Sequence, residues 1–491
     1  MRARTTRARR RRRTMLSAVL LAALWLPAAG GLAQEADEIL IRGGEVVTVD
    51  GRRRADVRVV GETIAEIGAD LTARRADAEV IDAGGLLVLP GGIDPHVHVG
   101  GGRVDDYTSG SIAALAGGIT TISGFSAAEA GEAPLAAIER EAAFVRAQSI
   151  ADVILHPIIT DPLAANADTL AAQAAAGQTS IKIFMNREPF DSDVEGYIAT
   201  MEAARDAGVL VMMHAEDGAI IRTTAERMMA EGRGSLANFA DARPVAAEAA
   251  ATQRAAALAE VTRAPVYLVH LSSERALEVA EDADRRDLPV YVETRPIYLH
   301  LTREVFAGPT PGLYIGQPAL RTQQDQNALW AGLARGAVHV VATDHVAYRR
   351  EQKLDPAQTV ANHRPGMSNL QVMLPMLFSE GVTAGRLTLE QFVAVSATNA
   401  AKLFGLYPRK GTIAAGADAD LTLWDPQATR PIRDEDMLSR SGYSTYAGTE
   451  VTGWPTLTMR RGEILYRDGE VSGTPGSGEL LRRERWRRPD W

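Results

Sequence analysis

Two hydrophobic periodicities divide this chain. Residues 38–91 alternate apolar and polar positions in short runs broken by glycine, the pattern of strands with one buried face. Residues 39–51 read as a hairpin, which 57–60 and 63–67 continue. From about residue 92 the runs become wholly apolar, at about 93–98, 119–124, 152–158, 180–184, 209–214, 265–270, 289–293 and 338–343. Between most of them lie Ala-, Glu- and Arg-rich stretches of helical period, such as 133–148 and 245–261. Eight strand–helix repeats predict a (β/α)8 TIM barrel over residues 92–404. Strand signals return at 419–424 and 453–466. The predicted fold class is therefore α/β: the barrel, flanked by a small β-sandwich built from residues 34–91 and 405–470. A C-terminal tail, 471–491, is arginine-rich and is expected at the surface or at a subunit contact.

The first 33 residues follow neither pattern. Eight arginines lie between Arg2 and Arg13 with no acidic residue, residues 15–26 are nearly all apolar, and Gly31-Leu32-Ala33 offers a small-residue cleavage site. This predicts an export signal peptide, by the twin-arginine or the general secretory route, and a periplasmic mature protein. The apolar core is too short for a membrane span, and no later stretch is long enough, so no span is predicted in the mature chain. Removing residues 1–33 moves the formal charge from −9 to −17. So acidic a chain is a poor partner for nucleic acid. With no cysteine, thiolate catalysis, disulfides and cysteine-ligated zinc are excluded.

Five of the barrel runs carry residues that can ligate a metal: His96 and His98, Lys182, His214, His270, and Asp344. His96 and His98 stand two apart, so on an extended strand both face the same way. Neutral imidazoles are good zinc ligands. Lys182 is one of only four lysines. Burying an ammonium on a strand is costly unless it is paired or chemically altered. Carbon dioxide would convert it to a carbamate, an anion able to bridge two cations. Asp344 can touch one metal and still accept a proton, which suits a general base. The set suits two zinc ions, or other divalent metals, with a bridging hydroxide that attacks a carbonyl carbon. Asp344 would carry the nucleophile's proton to the leaving nitrogen. The expected reaction class is metal-assisted hydrolysis of a C–N bond.

These residues, in this order, resemble the amidohydrolase superfamily and, within it, the dihydropyrimidinase/hydantoinase family. The resemblance extends over roughly residues 38–470. It includes Asp105-Asp106-Tyr107, Ser180-Ile181-Lys182-Ile183-Phe184-Met185, His214-Ala215-Glu216-Asp217-Gly218, Arg243-Pro244 with Glu248, His270-Leu271-Ser272-Ser273 and Asn362-His363-Arg364-Pro365-Gly366. It implies two zinc ions on His96, His98, Lys182 as carbamate, His214, His270 and Asp344, a small-molecule cyclic amide or imide substrate, and a homodimer or tetramer. Asn362 matches the family's substrate asparagine, and Tyr107 is expected to help shape the pocket. Two positions depart. Arg187 stands where the family has a tyrosine five residues after the lysine, and Gln317 where it has a serine. Both are expected substrate contacts, and an arginine there suggests a ring larger or more anionic than dihydrouracil. Allantoinase-like, dihydroorotase-like and N-acyl-amino-acid deacylase activities stay open on the same site. A non-catalytic scaffold is the reading of another class, and the complete ligand set argues against it.

Overall fold

The eight apolar runs become eight strands in the computed structural model, which describes residues 37–491. They are β1 (Gly92–Asp94), β2 (Ile119–Ala127), β3 (Asp152–Ile158), β4 (Ser180–Phe184), β5 (Leu210–His214), β6 (Val266–Leu268), β7 (Val290–Thr294) and β8 (Val340–Val341). Each lies parallel to its neighbours in chain order. Just beyond β1 and β8, Val97–His98 pairs with His345–Val346 and draws the first and last strands together at the mouth. Helices follow the strands, including Pro134–Gln148 and Val245–Thr262 where the helical period predicted them. The expected TIM barrel is formed.

Its strands look uniformly apolar because both faces are covered. Ile181, Ile183, Val211, Met213 and Val292 join the apolar layer shared with the helices. Ile154, Leu210, Met212, Tyr267, Tyr291 and Val340 make a separate cluster inside the barrel. Residues two apart share a face. Leu210 and Met212 therefore carry His214 inward, and Val340 and Ala342 carry Asp344. Lys182 faces inward between Ile181 and Ile183, which face the helices.

Strands from both ends of the chain join in one nine-stranded mixed sheet. Leu421–Pro431 pairs antiparallel with Leu87–Pro90 on one side and with Glu450–Arg460 on the other. One local expectation fails. Residues 39–51 do not form a hairpin of their own; Glu38–Thr48 is a single strand that reverses after Thr48 to pair with Gly51–Val60. Gly43, at φ 72°, sits in a register shift between Ile41 and Gly44, so the glycine pair makes a bulge. The bulge lets Ile41 and Val46 stay in one buried cluster, which a turn there would have split.

The arginine-rich tail also differs from expectation, because part of it is buried beneath the barrel. Leu481 N donates to Val153 O, Val153 N to Glu479 O, and Trp486 N to Gly208 O. The buried Arg483 guanidinium donates to Ser180 Oγ at 2.8 Å and Leu155 O at 3.0 Å. An arginine run reads as solvated, but a single guanidinium with hydroxyl and carbonyl acceptors in reach is satisfied inside. The export signal expected over residues 1–33 lies outside the described residues. Among those described, no helix is long and apolar enough to cross a membrane.

Candidate active site

The inward residues at the C-terminal ends of the strands meet in one cavity of about 250 Å³, lined by His96, His98, His214, His270 and Asp344. His96, His98 and Asp344 bring one ligand atom each within 4.8 Å of one another. Asp344 Oδ1 lies 3.3 Å from His96 Nε2 and 3.1 Å from His98 Nε2. Opposite them, His270 Nε2 and His214 Nδ1 face each other at 2.8 Å. Lys182 sits below, its Nζ 5.5 Å from the Phe125 ring centroid and 5.1 Å from that of Phe184. Its charge acts on all four histidines, so the six predicted ligands share one site.

Backbone geometry aims two of them. His270 and Asp344 have φ of 47° and 45°, in the left-handed region that residues with a Cβ seldom adopt. For His270 the reason is visible. Tyr267 and Val269 point inside, so the next side chain would point out, and the left-handed kink after Leu268 turns it back. Such strain persists where surrounding structure over-determines it, and it clusters at functional sites.

Buried acids orient the rings. His96 Nδ1 lies 2.7 Å from Glu293 Oε1, and His214 Nε2 lies 2.8 Å from Glu216 Oε2. An acid oxygen accepts the proton of one ring nitrogen and leaves the other with its lone pair toward the cavity, with burial pushing Glu293 up to about 8. Arg243 holds Glu216 in turn. Burial works against the Glu216 charge, but Arg243 and His214 outweigh it and keep the carboxyl far below its ordinary range. On the other side, Arg295 Nη1 lies 3.0 Å from Asp344 Oδ2. Burial opposes the Asp344 charge as well, and Arg295, His96 and His98 together keep it ionised.

The donor set suits divalent cations. Burial holds His96 and His270 well below the usual imidazole range, His214 below it, and His98 at about 4, so all four are neutral ligands. Asp344 is an anion. Lys182 Nζ is buried with no hydrogen-bond partner. Burial is the largest influence on it and lowers its pKa to about 7 against the pull of Glu293 and Asp344. A neutral amine without a hydrogen-bond partner is the form that takes up carbon dioxide.

Of the four predicted substrate contacts, Arg187 and Gln317 line the cavity. Tyr107 does not. It is fully buried at the start of the helix Tyr107–Ala116, and its hydroxyl donates to Glu141 Oε1 at 2.9 Å. Asp106 caps that helix, so the Asp-Asp-Tyr motif reads better as a helix start than as a pocket wall. Asn362 is exposed and lies off the cavity; its loop contributes Pro365 and Gly366 instead. Glu293 and Arg295, which sequence reasoning left unassigned, carried the same cue as the ligands, polar residues closing an apolar strand. Glu216 stood inside a quoted motif with no role. Arg103 lies in a glycine-rich loop and gave no signal.

Residues 87–465 match the amidohydrolase family. The chain belongs to that family. Its relatives include a D-hydantoinase of Ralstonia pickettii, 34% identical over 462 residues that cover 92% of this chain and 100% of that protein. A D-hydantoinase of Geobacillus stearothermophilus is 36% identical, covering 91% of this chain and 97% of its own. The crystal structure of dihydropyrimidinase from Brevibacillus agri superposes with a TM-score of 0.87 at 34% identity, covering 92% of this chain and 100% of that one. The amidohydrolase assignment thus places this chain on the hydantoinase and dihydropyrimidinase branch.

Proposed function

We propose that this amidohydrolase opens cyclic amides or imides of the hydantoin or dihydropyrimidine type with two zinc ions bridged by a carbamate on Lys182. The observation that carries the reading is the unpartnered Lys182 Nζ beneath four neutral imidazoles and an ionised aspartate. The neutral amine adds to carbon dioxide and loses a proton, which turns an unpartnered amine into an anion with two oxygens. His96, His98 and Asp344 would hold one ion, His214 and His270 the other, with the Lys182 carbamate between them. When bound, such ions acidify a water and polarise the carbonyl it attacks.

The chain's own residues supply the rest. Asp344, steadied by Arg295, accepts the proton of the attacking water and delivers it to the ring nitrogen as the C–N bond breaks. Glu293 and Glu216 keep the imidazoles from turning. For a hydantoin the hydroxyl ends on the ring carbonyl carbon and the hydrogen on the imide nitrogen, giving an N-carbamoyl amino acid.

The test is hydrolysis by the zinc-loaded protein across dihydrouracil, hydantoin, 5-substituted hydantoins, allantoin and dihydroorotate, beside Lys182→Ala and a chelator-treated sample. Ring opening of hydantoins or dihydrouracil that needs bicarbonate and metal and is absent from both controls is the expected result. Two bound zinc ions with no ring opened would overturn the substrate class. Arg187 and Gln317 on the cavity wall favour a second reading, an allantoinase-like, dihydroorotase-like or N-acyl-amino-acid deacylase activity, and turnover restricted to those substrates would select it.

A further inference from the structure

Two arginines reach the cavity from separate loops. Arg103 follows Gly100, Gly101 and Gly102 in the loop after β1, and Arg187 lies in the loop after β4. Beyond the backbone bonds of Arg103 N to Gly100 O and of Phe190 N to Arg187 O, neither guanidinium makes a hydrogen bond or an ion pair to any described residue. The acids nearest to them in sequence are engaged elsewhere. Asp105 binds His345 at 3.0 Å, Asp106 binds Arg440 at 2.7 Å, and Asp191 binds Arg254 at 2.9 Å. Glu141 feels the charge of Arg103, but it accepts from the Tyr107 hydroxyl. Glu188, next to Arg187, makes no ion pair with it. Burial lowers the Arg187 pKa, and the charge of Arg103 on the same cavity lowers it further.

Arg187 is also held in place. Its Cζ lies 3.8 Å from the centroid of the Phe184 ring, so the guanidinium stacks on that face. Phe184 itself ends β4, two residues after Lys182. Stacking restrains the plane and leaves the N–H edge free, an arrangement suited to two parallel hydrogen bonds to a carboxylate. A group ordered before the ligand arrives loses less entropy when it binds.

We infer that Arg103 and Arg187 form a clamp for a carboxylate on the substituent of the ring, so that the preferred substrates are anionic cyclic amides such as hydantoins with a carboxymethyl or carboxyethyl arm. The inference rests on the ring-opening reading above. The ring carbonyl sits over the histidines and Asp344, and the arm extends toward the arginines. Hydrolysis adds water across the ring C–N bond as before; the arm's carboxylate is bound and not changed. The product is an N-carbamoyl derivative of an acidic amino acid.

The experiment compares each carboxylated hydantoin with its carboxamide isostere, which has the same size and no charge. It is run on the zinc-loaded protein, on Arg103→Gln, Arg187→Gln and the double variant, and on Arg187→Lys. The reading is the ratio of kcat/KM for acid over amide. We expect a ratio of about 10 or more at low ionic strength, expressed in KM, and reduced by salt because exposed charges are screened. The ratio falls toward unity in the double variant, while Arg187→Lys keeps part of it because charge remains without the fork. Calorimetric binding of the same pairs to Lys182→Ala supplies the ratio of affinities even if no ring is opened. Equal treatment of acid and amide, or a preference that survives the double variant, would overturn the clamp and leave ring opening untouched. A binding preference without turnover would keep the clamp and discard the ring-opening reading.

Discussion

Two buried lysines are treated in opposite ways. Lys410 lies where β3 meets the terminal sheet, with Asp152 at 2.8 Å, Asp418 at 3.1 Å and Asp420 at 2.7 Å. Lys182 lies buried near two aromatic rings with no hydrogen-bond acceptor. A third, Lys353, donates to the carbonyls of Ile315, Arg364 and Gly366 at 2.7–2.9 Å. The fold therefore gives two of these buried amines hydrogen-bond acceptors and leaves Lys182 with none, although burial lowers the pKa of Lys353 as well. Burial tells against the charge of both Lys182 and Lys410. At Lys410 the three carboxylates overcome it and raise the pKa above the ordinary lysine value, whereas at Lys182 the value falls to about 7. The difference separates a lysine kept for its charge from one kept for its nucleophilic nitrogen.

The sharpest way to break the comparison is Lys182→Ala. Ring-opening activity should fall on the order of 1,000-fold or more, since the bridging ligand is gone. Thermal unfolding of the metal-free protein should stay level or rise, because a buried group without partners is removed. Normal activity in this variant would end the carbamate reading. The mirror change, Lys410→Met, should do the reverse and destabilise the fold by about 3 kcal/mol, because it strands buried carboxylates. Denaturant unfolding that shifts by less than about 1 kcal/mol would show that the cluster is solvated enough to need no counter-ion.

A smaller effect is expected in the acids behind the rings. Glu216→Gln and Glu293→Gln should each weaken zinc affinity about 10- to 100-fold in a metal titration. No change in either would mean the rings are held by packing alone.

The last effect is one of pH. Without carbon dioxide, Lys182 has a folded pKa near 7, below its unfolded value. Under about pH 7 both states hold the proton and the burial cost is present in full. As pH rises from there toward about 10.4, only the unfolded chain keeps the proton, so stability rises. Lys410 has the opposite sign. Its contribution is complete below about 10.4 and fades only as pH climbs through its raised folded value. The pH dependence of stability of the metal-free protein in bicarbonate-free buffer, less that of Lys182→Met, should show the rise above about pH 7. A flat difference would mean the amine is not as desolvated as its surroundings suggest.

Much of this was legible in the chain because metal ligands are conspicuous where they end an apolar strand. Residue type, run end and the two-residue spacing placed His96, His98, Lys182, His214 and Asp344 inside the barrel before any coordinates. His270 reaches the cavity although the alternation points it outward, and its left-handed backbone is not legible in the sequence. Tyr107 and Asn362 were misplaced since loop motifs mark a segment without saying which side chain turns inward. Arg103, Glu293 and Arg295 depend on partners far along the chain; the contact of Glu293 with His96 spans 197 residues. Distance in sequence also hid the buried half of the tail. The Gly43–Gly44 pair failed for a local reason, because a bulge and a turn use the same glycines.

The buried segment around Arg483 has a consequence in time. Its guanidinium meets Ser180 across 303 residues and Leu155 across 328. A nascent chain can pair β3 with β4 early, since those strands are adjacent in sequence, but the base they leave open stays open until the segment bearing Arg483 has left the ribosome. Contacts of such separation close late and slowly. Until then Ser180 and the carbonyl of Leu155 lack the guanidinium, and the half-built barrel stays open at its base.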